Sequence, residues 1–144
     1  MWDNEKVNEA LFFAIGAHKK QEMYHPDGMP YSAHIVGVAL TALNFAENEN
    51  VDKELILKVA LLHDTIEDTG TTFEELKTRF GEDVANGVLA LTKNGSLKKE
   101  EQMPECLNRI LKLGSKEVAM VKLADRCFNT RCTVPSWTKE KQEF

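Results

Sequence analysis

Cysteine is scarce in this chain: Cys106, Cys127 and Cys132 make an odd number without a C-x-x-C pair, which excludes a disulfide framework and a zinc-thiolate site. Positive charge is also short. Eighteen Lys and Arg stand against 23 Asp and Glu, for a formal net charge of −5, so the chain lacks the basic surface that binds nucleic acid through many phosphate contacts. No apolar run approaches the length that spans a bilayer, and Met1-Trp2-Asp3-Asn4-Glu5 lacks the basic start and apolar stretch of a signal peptide. No repeat, low-complexity tract or linker divides the 144 residues. These absences predict one globular domain, residues 1–144, in the cytoplasm, acting on neither nucleic acid nor membrane.

Apolar residues recur at helical rather than strand spacing. Val7, Ala10, Leu11, Ala14, Ile15 and Ala17 form one face of a first helix fading near Lys20. Turn formers crowd residues 24–30, and Pro30 suits the first turn of a helix from about Tyr31 to Asn44. A third helix opens near Asp52, carries a deeply apolar stretch to Leu62, and continues through polar residues to Gly70. Thr72-Phe73-Glu74-Glu75 fits a capping box for a short helix stopped by Gly81, and another helix covers Glu82 to Leu91. After the break at Asn94-Gly95-Ser96, Pro104 is expected near the start of a helix reaching Leu113, and Ser115 caps the last one. The expected fold is all-α.

Chemistry concentrates where the third helix turns polar, at His63-Asp64-Thr65-Ile66-Glu67-Asp68. Residues four apart share a helix face, which pairs His63 with Glu67 and Asp64 with Asp68. Three carboxylates in one small volume need a compensating cation. His34, on the helix after the Gly-Pro loop, and Asp125, on the last helix, bring further ligand-type side chains. His34, His63, Asp64 and Asp125 give two imidazoles and two carboxylates, a set suited to an octahedral Mn²⁺ or Fe²⁺ with two open positions for a water and a phosphate oxygen. His18 and His25 read as solvated or hydrogen-bonded histidines. Lys98-Lys99-Glu100-Glu101 reads as a solvated charged segment from which a lysine could reach an anionic substrate.

Four landmarks, Gly28-Met29-Pro30-Tyr31-Ser32-Ala33-His34, Leu61 to Thr69, Lys99-Glu100-Glu101-Gln102 and Val121 to Asn129, together resemble the HD-domain hydrolase of the RelA/SpoT enzymes and its stand-alone forms, the small alarmone hydrolases. The resemblance implies an all-helical HD fold in which His34, His63, Asp64 and Asp125 hold one Mn²⁺ while Glu67 and Asp68 orient or activate the attacking water. It also implies that Asn129 contacts the nucleotide sugar, and that pyrophosphate is removed from the 3′ position of ppGpp or pppGpp. Where many relatives carry an Arg-Lys pair, this chain reads Glu22-Met23-Tyr24-His25-Pro26-Asp27, so Tyr24 or His25 is the expected stacking surface for the base. Relatives usually continue with further helices beyond the region matching residues 136–140, and dimerisation is one expected cover for the surface those helices would bury. Two alternatives remain open: an HD phosphohydrolase for another nucleotide or phosphorylated cofactor, and a non-catalytic nucleotide-sensing module, which intact Glu67 and Asp68 disfavour.

Overall fold

A computed structural model describes residues 1–19 and 30–131, the side chain of Arg131 excepted; Tyr24, His25, Cys132 and the residues after it lie outside the described residues. The described chain forms helices α1 (Asn4–Lys19), α2 (Tyr31–Phe45), α3 (Lys53–Leu62), α4 (Thr65–Asp68), α5 (Phe73–Phe80), α6 (Glu82–Leu91), α7 (Lys99–Leu113) and α8 (Lys116–Arg131). The all-α expectation holds, and the element ends follow local chemistry. Asp3 starts α1 earlier than the apolar pattern indicates, because its Oδ1 accepts from the Glu5 N–H at 3.0 Å. Asp52 accepts from the Leu55 N–H at 3.0 Å, Thr72 from Glu75 at 3.2 Å, and Ser115 from Val118 at 3.3 Å. Gly81 at φ +95° and Gly114 at φ +68° make the turns between α5 and α6 and between α7 and α8.

Two expectations need correction. The third helix does not run on to Gly70: α3 ends at Leu62, and His63 and Asp64 form a turn before the short α4. That turn presents His63 and Asp64 at the end of the apolar run. Helix α7 starts at Lys99 rather than near Pro104, with the Glu101 carboxylate accepting from the Lys98 N–H at 3.3 Å. Pro104 lies inside the helix, and it is tolerated because both it and Glu100, whose carbonyl loses a donor, face solvent.

Helix α3 is the central element, in contact with α1, α2, α6 and α8. A helix of its length is marginal alone, so burial holds it: Ile56, Val59 and Leu62 are fully enclosed, each contributing about 2 kcal/mol. Behind it, Arg109 of α7 donates to the Leu89 carbonyl at 2.6 Å, which also accepts from the Thr92 N–H, and to the Thr92 carbonyl just beyond α6. Cys106 and Cys127 are free thiols, and the buried Cys106 donates from Sγ to the Ala90 carbonyl at 3.3 Å.

Helices α2 and α8 pack closely because position 37 is glycine. A Cβ there would collide with the ring of Phe128, which also approaches His34 edge to face with centroids 5.3 Å apart. Gly37→Ala is therefore expected to destabilise the fold by about 1–3 kcal/mol through overpacking, measured by urea unfolding; unchanged stability would show that Phe128 does not set the α2–α8 spacing.

Candidate active site

Three separate helical segments deliver side chains to one point. His34 projects from the first turns of α2, His63 and Asp64 from the turn after α3, and Asp125 from the middle of α8. Both histidines are buried, and both carboxylates are part-buried. His34 Nε2 lies 3.3 Å from Asp125 Oδ1 and 3.6 Å from Asp64 Oδ2. His63 Nε2 lies 3.1 Å from Asp64 Oδ2 and 3.6 Å from Asp125 Oδ1. His34, His63 and Asp125 offer donor atoms that all fall within 4.8 Å of one another.

The hydrogen-bond inventory decides what this arrangement suits. His63 Nδ1 stands 2.6 Å from the Ala60 carbonyl oxygen, which can only accept, so Nδ1 carries the proton. Nε2 then presents a lone pair. It is buried and has no hydrogen-bond partner, although it faces two carboxylate oxygens. Lone pairs turned toward one another repel unless a cation lies between them. Donors about 2.1 Å from an octahedral ion stand about 3 Å apart, close to the spacings found here. The donor set fits a divalent metal.

The carboxylates differ electrostatically. Burial pushes the Asp64 carboxyl well above its ordinary range, and the charges of Asp125, Asp68 and Glu67 add to the effect, with Lys93 opposing. Burial also acts upward on Asp125, but with their rings protonated His34 and His63 donate toward its carboxylate, outweigh burial and hold this carboxyl well below the usual range. Asp68 is raised by burial and by Glu67, against the charges of His63, Lys93 and His34. Tyr31 donates its hydroxyl proton to Asp64 Oδ2. Asn129, one turn beyond Asp125, donates from Nδ2 to Asp125 Oδ1 at 3.1 Å. Glu67 turns outward, where its Oε2 accepts from the Lys93 N–H at 3.2 Å.

Buried imidazole nitrogens from α2 and the turn after α3, with an aspartate from α8, accompany a specific sequence likeness. The HD domain profile matches residues 10–143. The chain belongs to the HD-domain family. Two HD-domain relatives are the guanosine-3′,5′-bis(diphosphate) 3′-pyrophosphohydrolases MESH1 of Danio rerio, 40% identical with 94% of this chain and 76% of that one covered, and of Xenopus tropicalis, 36% identical with 99% and 80% covered. A solved structure described as a metazoan orthologue of SpoT that hydrolyses ppGpp and plays a role in starvation responses matches with a TM-score of 0.81, at 31% identity, covering 99% of this chain and 80% of that chain.

Within this HD-domain site the structure brings together His34, His63, Asp64, Asp125 and Asn129, with Glu67 and Asp68 close enough to act on Asp64 electrostatically. The expected base-stacking residues Tyr24 and His25 lie outside the described residues. Two neighbours escaped the sequence reading. Tyr31 sits three residues before His34, a helical spacing that could have revealed it. Among the described residues His18 is neither solvated nor hydrogen-bonded: it is 4% exposed, packs on Tyr31 with ring centroids 4.5 Å apart, and finds no partner there for either nitrogen.

Burial, reinforced by the charges of His63 and His34, pushes the His18 imidazole down to about 4. An unfolded histidine titrates near about 6.5. The unfolded chain therefore binds a proton that the folded one refuses, and stability is full above about pH 6.5 and falls as pH drops toward about 4. Urea unfolding across that window should show a shallower pH dependence in His18→Phe than in the parent chain; equal slopes would remove His18 from the account.

Proposed function

We propose that the chain is a metal-dependent phosphohydrolase that removes the 3′-pyrophosphate from guanosine tetra- and pentaphosphate alarmones. The observation that carries the metal is the partnerless, buried Nε2 of His63 facing two carboxylates. The substrate follows from the MESH1 relatives, which are named for this reaction and match over nearly the whole chain. Mn²⁺ is the favoured ion, with Fe²⁺ the nearest substitute, since two imidazoles and two carboxylates form a mixed, intermediate-softness set. His34, His63, Asp64 and Asp125 would hold it. Bound there, the ion supplies Lewis-acid charge that acidifies a water and offsets negative charge on the phosphoryl group.

The remaining residues take separate roles. Asp68 is the proton acceptor from the attacking water: burial and Glu67 raise it above the ordinary aspartate range, which strengthens it as a base, and Glu67 is already engaged by Lys93. Glu67, held outward by the Lys93 N–H, keeps negative charge near Asp68. Tyr31 fixes Asp64 and Asn129 fixes Asp125, while the Asn129 amide retains a second N–H for the sugar. The water oxygen bonds to the phosphorus attached to the ribose 3′ oxygen, that P–O bond breaks, and the nucleotide leaves with pyrophosphate as the second product. The free thiols Cys106 and Cys127 accord with a cytoplasmic setting.

Incubation with ppGpp and Mn²⁺ should release GDP and pyrophosphate, resolved by chromatography, with Asp68→Asn lowering kcat by about 10²-fold or more. Because Asp68 must be unprotonated, activity should fall as pH drops through its raised value, giving an acid limb above the ordinary aspartate range. Hydrolysis only of another nucleotide would preserve the metal mechanism and reject the alarmone. Full activity in Asp68→Asn would move the base to Glu67.

A further inference from the structure

Four carboxylates, Asp64, Glu67, Asp68 and Asp125, surround the place where a polyanion must bind, in a chain already carrying a net charge of −5. One divalent ion cannot neutralise all four and a phosphate as well. The site therefore needs a cation from the protein. Lys98 and Lys99, the lysines that the sequence points to, stand exposed at the start of α7. Lys93, in the loop after α6, is instead tied to the site. Its backbone N–H donates to Glu67 Oε2 at 3.2 Å, its Nζ lies 3.8 Å from Glu67 Oε1, and its charge acts on both Asp64 and Asp68.

We infer that the Lys93 ammonium binds an oxygen of the substrate's diphosphate group and is a specificity residue for highly phosphorylated nucleotides. This rests on the phosphohydrolase reading above and adds the residue that would recognise the polyanion. Two features make Lys93 suited to the task. Its ion pair with Glu67 is long and its side chain 41% exposed, so the pair contributes little and the ammonium can exchange a carboxylate for a phosphate oxygen. The Glu67 anchor comes from the backbone N–H, which stays in place when the side chain moves. The ammonium can thus leave while the backbone N–H keeps Glu67 in place, and the Lys93 side chain meets the substrate without being part of the proton transfer.

The same separation makes the assignment testable, because substituting the side chain leaves the backbone donor intact. With Mn²⁺-loaded protein and ppGpp, Lys93→Ala should raise KM by about tenfold with kcat within about threefold, Lys93→Glu should raise KM further, and Lys93→Arg should stay near the parent. Raised salt should weaken the parent more than Lys93→Ala. Unchanged KM in Lys93→Ala and Lys93→Glu would overturn the inference, as would a loss confined to kcat, which would make the side chain a positioning group for Glu67. If the parent turns over no ppGpp, the functional reading fails on its own, and Lys93 is judged by equilibrium dialysis of ³²P-labelled inorganic phosphate against the Mn²⁺-loaded protein. Weaker partition into Lys93→Ala and Lys93→Glu than into the parent supports a phosphate-binding ammonium; equal partition refutes it.

Discussion

His63 gives its only proton to the Ala60 carbonyl and aims the remaining lone pair at carboxylate oxygens of Asp64 and Asp125, with His34 brought to the same oxygens from a neighbouring helix. Hydrogen bonds alone do not resolve that convergence. Two imidazole nitrogens and two carboxylates gathered from α2, the α3–α4 turn and α8 are mutually repulsive unless a cation joins them. The helix packing exists to hold this arrangement: α3 is buried along nearly its whole length, and Gly37 lets α2 approach α8 until Phe128 rests against His34.

Around this core the other residues form a graded surround. Tyr31 and Asn129 each donate to one of the carboxylates, so the orientation of both is fixed before any ion arrives. Asp68 is pushed upward by burial and by Glu67, the property behind its proposed role as base, whereas Glu67 is anchored to the loop after α6. The loop therefore does more than connect two helices: it contributes a backbone donor that orients one acid and an ammonium facing the same acids. On the proposed reading, metal holding, proton transfer and anion recognition fall to different side chains of one site.

Much of this was legible in the sequence, for physical reasons. Helical spacing located most elements, since a core helix such as α3 must repeat its apolar residues. A polar cluster such as His63 to Asp68 directly after that helix has few structural explanations other than a site. What was not legible depended on contacts between distant segments. The turn at His63 and Asp64 reads as helix continuation because both residues keep near-helical backbone angles. Pro104 reads as a start signal because nothing local reveals that the Glu101 carboxylate already caps Lys98. His18 looks like an ordinary surface histidine until α1 packs it onto Tyr31, and Lys93 looks like an ordinary loop lysine until Glu67 is found beside it.

The central claim is that one divalent cation reconciles these facing lone pairs, and it is most directly tested by equilibrium unfolding with Mn²⁺ and with chelator. If the ion binds the folded site and not the unfolded chain, Mn²⁺ at about a hundredfold above its Kd should raise stability by about 2.7 kcal/mol. The same addition to His63→Ala should give far less. Identical unfolding curves with Mn²⁺ and with chelator in the parent protein would contradict the account.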